Sequence, residues 1–135
     1  DDFFLPPALR TEKRLSEPGG NIHYERFCGE VINGLCSGEK FSYRKFDCSL
    51  LDYTETIEFH PKRITVIEGS YSLHPLFRHI YNITVFCDIN PEEQLKRILH
   101  RIGEKAYQLF KDKWIPLENY YFEYYKIRET CQIII

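Results

Sequence analysis

Two short β-branched runs do most to limit what this chain can fold into. Arg63-Ile64-Thr65-Val66-Ile67 ends in Glu68-Gly69, and Ile83-Thr84-Val85-Phe86-Cys87 is closed by Asp88-Ile89-Asn90-Pro91. Apolar runs of this length, bounded by turn residues, suit strands buried on both faces of a parallel sheet. Gln132-Ile133-Ile134-Ile135 reads as a last buried strand of the same kind. Helical patterns stand before and after these runs, and strands alternating with helices point to an α/β fold with a parallel sheet.

The remaining segments fit around that frame. Residues 5–23 read as a loop, punctuated by Pro6-Pro7, Pro18-Gly19-Gly20 and Asn21. From Tyr24 to Leu35, Phe27, Val31, Ile32 and Leu35 follow helical spacing, and Gly38 supplies a stop. Phe41–Phe46 and Thr54–Phe59 are β-rich halves of a hairpin. Asn90 caps a helix whose first turn holds Pro91, Glu92 and Glu93. That helix carries Leu95, Ile98, Leu99 and Ile102 on one face and ends at Gly103, and residues 104–127 form two further helical pieces broken near Pro116.

Composition excludes several classes. The chain is 43% hydrophobic and 28% charged, ordinary values for a globular protein, and 135 residues are enough for one domain with a core. A net charge of −2 gives no bulk attraction to nucleic acid. No apolar run approaches the roughly 18–20 residues that cross a bilayer, and no export signal is legible, so the expected location is cytoplasmic. Five cysteines without C-x-x-C spacing argue against a disulfide framework or zinc knuckle, leaving free, mostly buried thiols, with Cys87 and Cys131 inside apolar runs. The sequence has no Met, even at residue 1, which implies a lost N-terminal segment.

Four groups of side chains could carry chemistry. In Asp1-Asp2-Phe3-Phe4, a carboxylate at a strand end can take a proton from a substrate hydroxyl while aromatics pack on a ring; two acids at a chain end are equally at home in solvent. Glu68 could hold Mg²⁺ through water or merely cap the turn at Ser70 or Tyr71. Arg97, Arg101, Lys105, Lys111 and Lys113 form a basic stripe able to read phosphate, or a solvated face balanced by Glu92, Glu93 and Glu104. Asn21, His23, Tyr24, Tyr43, Arg44, Asp47 and Cys48 mix hydrogen-bonding groups with aromatics, as an uncharged ligand such as a nucleoside needs; a polar loop on a hairpin explains the same residues. Tyr107, Tyr120, Tyr121, Tyr124, Tyr125 and Trp114 read as packing rather than a stacking platform.

The order of these signals is more specific than any one of them. Asp1-Asp2-Phe3-Phe4-Leu5-Pro6-Pro7 resembles the segment after the second strand of uridine kinases and related P-loop nucleoside kinases. Glu68-Gly69-Ser70-Tyr71-Ser72-Leu73 looks like that family's central strand end, and Asp88 to Arg97 resembles its strand–helix approach to the lid. Lys113 to Phe122 is similar to the lid exit of bacterial uridine kinase-like proteins. The resemblance covers nearly all of the chain. It implies a P-loop NTPase fold: a parallel sheet flanked by helices, with a β-hairpin at residues 41–60, a helical lid at 96–118 and an acceptor-side loop at 5–23, in a single domain over residues 1–135. It implies transfer of the γ-phosphoryl of ATP, with Mg²⁺, to the 5′-hydroxyl of uridine or cytidine, in pyrimidine salvage. Asp1 resembles the acceptor-hydroxyl base, with Asp2 the second choice. Phe4 and Tyr43 resemble acceptor-pocket aromatics, Glu68 the acid near the metal, and Arg97 and Arg101 phosphate-facing lid arginines. Asn21 and Arg44 join the substrate set and Lys105 the phosphate set.

The sequence departs from that family in places. It contains no G-x-x-x-x-G-K-[ST] loop, and neither the first strand nor the first helix is represented. Cys48 stands where many uridine kinases have a hairpin His, and Gly19-Gly20-Asn21 is closer to the uridine kinase-like subgroup. The missing phosphate loop predicts impaired ATP binding and catalysis, and a sheet lacking its first strand exposes a flank and predicts marginal stability or self-association. Pantothenate kinase-like and phosphoribulokinase-like enzymes share the scaffold, and a non-catalytic binding or assembly module is the rival from another class.

Overall fold

The computed structural model describes residues 2–135, and Asp1 lies outside the described residues. It is a mixed α/β protein made of two compact units, Asp1–Ile80 and Tyr81–Ile135.

The first unit is built on an aromatic hairpin and a helical run. Strands β1 (Phe41–Asp47) and β2 (Asp52–Phe59) pair antiparallel from Phe41↔Phe59 to Asp47↔Asp52. The register slips between Lys45 and Phe46. Strict alternation through Tyr43 and Lys45 would turn Phe46 to the opposite face, and the bulge instead lets it bury to 2% exposure. Asp47 Oδ1 accepts from the Ser49 and Leu50 amides at 2.7 and 3.0 Å, closing the turn.

Residues 5–23 are more structured than a loop. A 3₁₀ turn (Pro7–Leu9) precedes the short helix α1 (Glu12–Leu15), which Thr11 caps by accepting from the Arg14 amide. The predicted helix from Tyr24 is confirmed as α2 (Tyr24–Phe27), a π turn (Cys28–Ile32) and α3 (Asn33–Ser37), ended by Gly38 at φ 71°. Val31 and Ile32 face the core with Leu5, Phe46 and Phe77. Gly34 is required by a close approach, since a Cβ there would stand 2.3 Å from the Phe41 ring.

The strand expected at Arg63–Ile67 is not formed. Ile64 and Val66 are 80% and 82% exposed, and among the described residues no strand pairs with them. β-branched side chains favour a strand only where a neighbour supplies ladder hydrogen bonds and a face to bury against.

In the second unit, β3 (Val85–Phe86) pairs in parallel with β4 (Ile133–Ile134). Both are shorter than the sequence suggests, and the expected burial of the last strand is overturned: Ile133, Ile134 and Ile135 are all exposed. Among the described residues the pair has only two strands, so no further strand covers its edges. Helix α4 (Pro91–Leu109) starts as expected, with Asn90 Oδ1 accepting from the Glu92 amide at 2.9 Å. Its first piece ends at Gly103, as expected. At φ 72°, ψ 173° Gly103 breaks the helix, which then resumes and continues to Leu109. The helical backbone continues through a π turn (Phe110–Trp114) into α5 (Ile115–Tyr125), so the expected break near Pro116 is not formed and Pro116 sits in the first turn of α5. Helix α6 (Ile127–Thr130) follows Lys126. Tyr121 is fully buried and meets Tyr125 and Phe122, while Phe122 lies edge-on to Phe86 at 5.3 Å, so the expected packing role holds for Tyr121 but not for Tyr120 and Tyr124, which are exposed.

All five cysteines are free, as expected, but none is buried: Cys36, Cys48 and Cys87 are exposed, and Cys28 and Cys131 are half-buried. An apolar run buries its thiol only where the strand is covered. Among the described residues no helix is long and apolar enough to cross a membrane.

Candidate functional site

The first unit brings together most of the acceptor-side residues read from the sequence. The segment Phe3–Leu5 runs antiparallel to Asn21–His23: the His23 amide donates to the Phe3 carbonyl at 2.7 Å and the Leu5 amide to the Asn21 carbonyl at 2.9 Å, around the Phe4↔Ile22 bridge. Asp2 is fixed at the hairpin bulge, where its carbonyl accepts from the Phe46 amide at 3.2 Å. Bulges re-aim side chains, and this one sets the Asp2 carboxylate at the Tyr43 hydroxyl, 3.5 Å away, a long hydrogen bond. Phe3 lies against Tyr43 with ring centroids 5.5 Å apart. Burial, reinforced by Asp2, raises the Tyr43 phenol above its ordinary pKa, so it stays protonated and can donate.

Asp2 therefore meets Tyr43, while Phe4 and Asn21 lie on the paired segments that follow, and Asp1 lies outside the described residues. Asn21 is buried, and among the described residues its Nδ2 has no hydrogen-bond partner, nor does His23 Nδ1. Burial, aided by Arg26, lowers the His23 pKa and favours its neutral form. Arg44 is placed differently from a ligand-reading arginine. Its Nε and Nη2 donate to Glu30 Oε1 at 3.1 and 2.8 Å, its amide donates to Glu30 Oε2 at 2.8 Å, and its guanidinium lies 4.5 Å from the Tyr53 ring centre. Glu68 is exposed outside any strand or helix, just before a bend at Gly69, and no hydrogen bond or ion pair among the described residues joins it to Asp2 or Tyr43.

Sequence reading missed the two arginines that build this region. Arg14 donates from Nε to the Gly20 carbonyl at 3.1 Å, from Nη2 to the Ile22 carbonyl at 2.9 Å, and from both terminal nitrogens to the Glu25 carboxylate at 2.6 and 2.9 Å. Its guanidinium covers the Tyr24 ring at 3.7 Å. Arg26, 6% exposed, donates to Glu30 and to the carbonyls of Asp2 and Arg44. A charged residue among polar loop residues gives no sequence signal that carbonyls will converge on it.

The Tyr24 ring also stacks on His74, centroids 4.5 Å apart and 16° from parallel. His74 is buried, and this burial, reinforced by the Arg14 cation, pushes its pKa down to about 4. The folded state thus prefers the neutral ring. The resulting stability is complete above the ordinary value near 6.5 and is lost as pH falls from there toward 4. Allowing for solvent reaching the ring, we expect a loss of about 2 kcal/mol. Glu25 faces the same group and counters it slightly. Urea midpoints of wild type and His74→Gln at pH 7 and pH 4.5 will isolate the effect: the wild type should lose more stability than the variant on acidification.

In the second unit the basic residues do not form one stripe. Arg97 and Arg101 are four apart on unbroken helix and share a face. Lys105 lies beyond the Gly103 break, where that spacing no longer holds, and Lys111 and Lys113 lie in the π turn. Arg97 is 70% exposed and pairs with Glu93 at 2.9 Å, and Arg101 and Lys105 are exposed. Among the described residues no group of three His, Cys, Asp or Glu side chains could hold a metal ion.

No protein-family model matches this chain, and no curated protein matches it either.

Proposed function

We propose that this chain carries the acceptor side of a uridine kinase-like P-loop phosphotransferase, acting on a hydroxyl of a uridine- or cytidine-like nucleoside with ATP as donor. The observation that supports this most is Asp2, held at a bulge with its carboxylate at the Tyr43 hydroxyl and Phe3 lying against that ring. A carboxylate beside an aromatic surface can accept the hydroxyl proton while the nucleoside is held in place. The hydroxyl oxygen then bonds to the γ-phosphorus, the bond from that phosphorus to the β,γ-bridging oxygen breaks, and ADP leaves with the electron pair. Asp1 is the first choice for this base by resemblance and Asp2 the choice among described residues. Arg97, Arg101 and Lys105 remain the residues proposed to face phosphate. A single exposed carboxylate, Glu68, does not make a resident Mg²⁺ site with other described residues, so the ion is taken as part of the nucleotide substrate and no step runs through it.

The pairing of Arg44 with Glu30 and of Arg97 with Glu93 favours a second reading, a binding module without turnover. Titration with uridine and with ATP, with product detection, separates the two. The kinase reading expects uridine to bind and Asp2→Asn to weaken it roughly tenfold, the loss of one charge-assisted hydrogen bond. Uridine binding without any ADP production fits a kinase impaired in catalysis, whereas binding of neither ligand ends the kinase reading and supports the module. Preference for pantothenate or a sugar phosphate moves the kinase reading to a related small-molecule kinase.

A further inference from the structure

We propose that Arg26 is a positioning residue, whose buried guanidinium holds the Asp2 main chain at the hairpin so that the Asp2 carboxylate stands at the Tyr43 hydroxyl. Its purpose rests on the acceptor-site reading above; its geometry does not. Arg26 Nη2 donates to the Asp2 carbonyl, which also takes the Phe46 amide, and Nη1 donates to the Arg44 carbonyl and to Glu30 Oε2 at 3.1 Å. The guanidinium plane lies 4.1 Å from the Phe3 ring centre and 5.1 Å from that of Tyr53. One side chain thus grips the N-terminal segment, the helical run and both hairpin strands.

The distribution of these contacts separates positioning from simple cohesion. A buried arginine kept only for charge balance needs its carboxylate, and Glu30 supplies that while also serving Arg44. The further bonds go to main-chain oxygens, one of them on the residue whose side chain meets Tyr43. A planar fork reaches two carbonyls in fixed directions; a lysine ammonium at the same place is a point charge on a flexible stem and fixes neither. Arg26→Lys keeps the charge and loses the aim.

The test reads Tyr43 and needs no nucleotide or acceptor. Tyrosine ring carbons are ¹³C-labelled, and the phenol titrations of Tyr43 and Tyr24 are followed by NMR in wild type, Arg26→Lys, Asp2→Asn and the double variant. Tyr43 is raised first by burial and then by Asp2, so a displaced Asp2 should lower its pKa. Tyr24, pushed up to about 12 mainly by burial, should stay in place and reports that the fold is intact. The expected result is that Arg26→Lys lowers Tyr43 in the wild-type background and has no further effect once Asp2 is Asn. An unchanged Tyr43, or an equal shift in both backgrounds, overturns the proposal. If Arg26→Lys does not fold, Glu30→Gln takes its place in the same cycle and the same outcomes decide. Uridine affinity measured on the same proteins keeps the readings apart: a wild type that ignores uridine while the Tyr43 coupling holds removes the kinase reading and leaves Arg26 as the residue that places Asp2.

Discussion

Tyr121→Ala is expected to cost the Tyr81–Ile135 unit about 4 kcal/mol, enough to leave much of it unfolded at neutral pH. Tyr121 is 0% exposed, with its ring centre 5.5 Å from that of Tyr125 and 5.7 Å from that of Phe122. Phe122 in turn meets Phe86 of β3, so the ring lies where α5 closes on the parallel pair. Only Ile98, Tyr121 and Ile127 are buried apolar residues in the described part of this unit, and none of the others could fill the space a phenol leaves. Tyr121→Phe keeps the ring and should cost about 1 kcal/mol, the worth of one hydroxyl contact. Urea unfolding followed by far-UV circular dichroism will rank the three proteins; equal midpoints for wild type and Tyr121→Ala would show that this aromatic cluster is not the core of the unit.

The second large effect belongs to Gly20. A Cβ built there stands 1.8 Å from the Arg14 carbonyl oxygen and 3.0 Å from that of Glu17, both main-chain atoms that cannot rotate away. The Gly20 amide donates to the Glu17 carbonyl at 2.9 Å, and its own carbonyl accepts from Arg14 Nε, so moving the chain to admit a methyl group breaks the Arg14 anchorage. We expect Gly20→Ala to destabilise the first unit by about 3 kcal/mol. It should also free the segment before Tyr24, read as faster tryptic cleavage after Arg14. A variant as stable and as resistant to trypsin as wild type would mean that the anchorage survives a displaced backbone.

What could be read in advance follows the range of the interactions. The Asn90 cap, the Gly38 stop, the hairpin halves and the helical run from Tyr24 are set by neighbours a few residues apart, and all appear where the pattern puts them. Burial is different, because it needs a partner surface that composition does not reveal. Arg63–Ile67, Ile133–Ile135 and Cys87 have the apolar character of buried strand residues and yet are largely exposed. At the candidate site the residue types were legible but their allegiances were not. Arg44 looked like a ligand contact and is bound to Glu30, while Arg14 and Arg26, unremarked in the sequence, hold the loop and the hairpin together across 6 to 24 residues.

The break at Gly103 makes the cationic segment an articulated arm instead of a rod. Its backbone angles, φ 72° and ψ 173°, lie in a region essentially closed to residues with a Cβ. Beyond the break the helical backbone runs on through the π turn (Phe110–Trp114) into α5, so the piece before it is the one close to the roughly 12–15 residues at which an isolated helix begins to hold in water. The order of Arg97 and Arg101 is therefore borrowed: from Asn90 at one end, and from Ile98 pressed into the unit's interior.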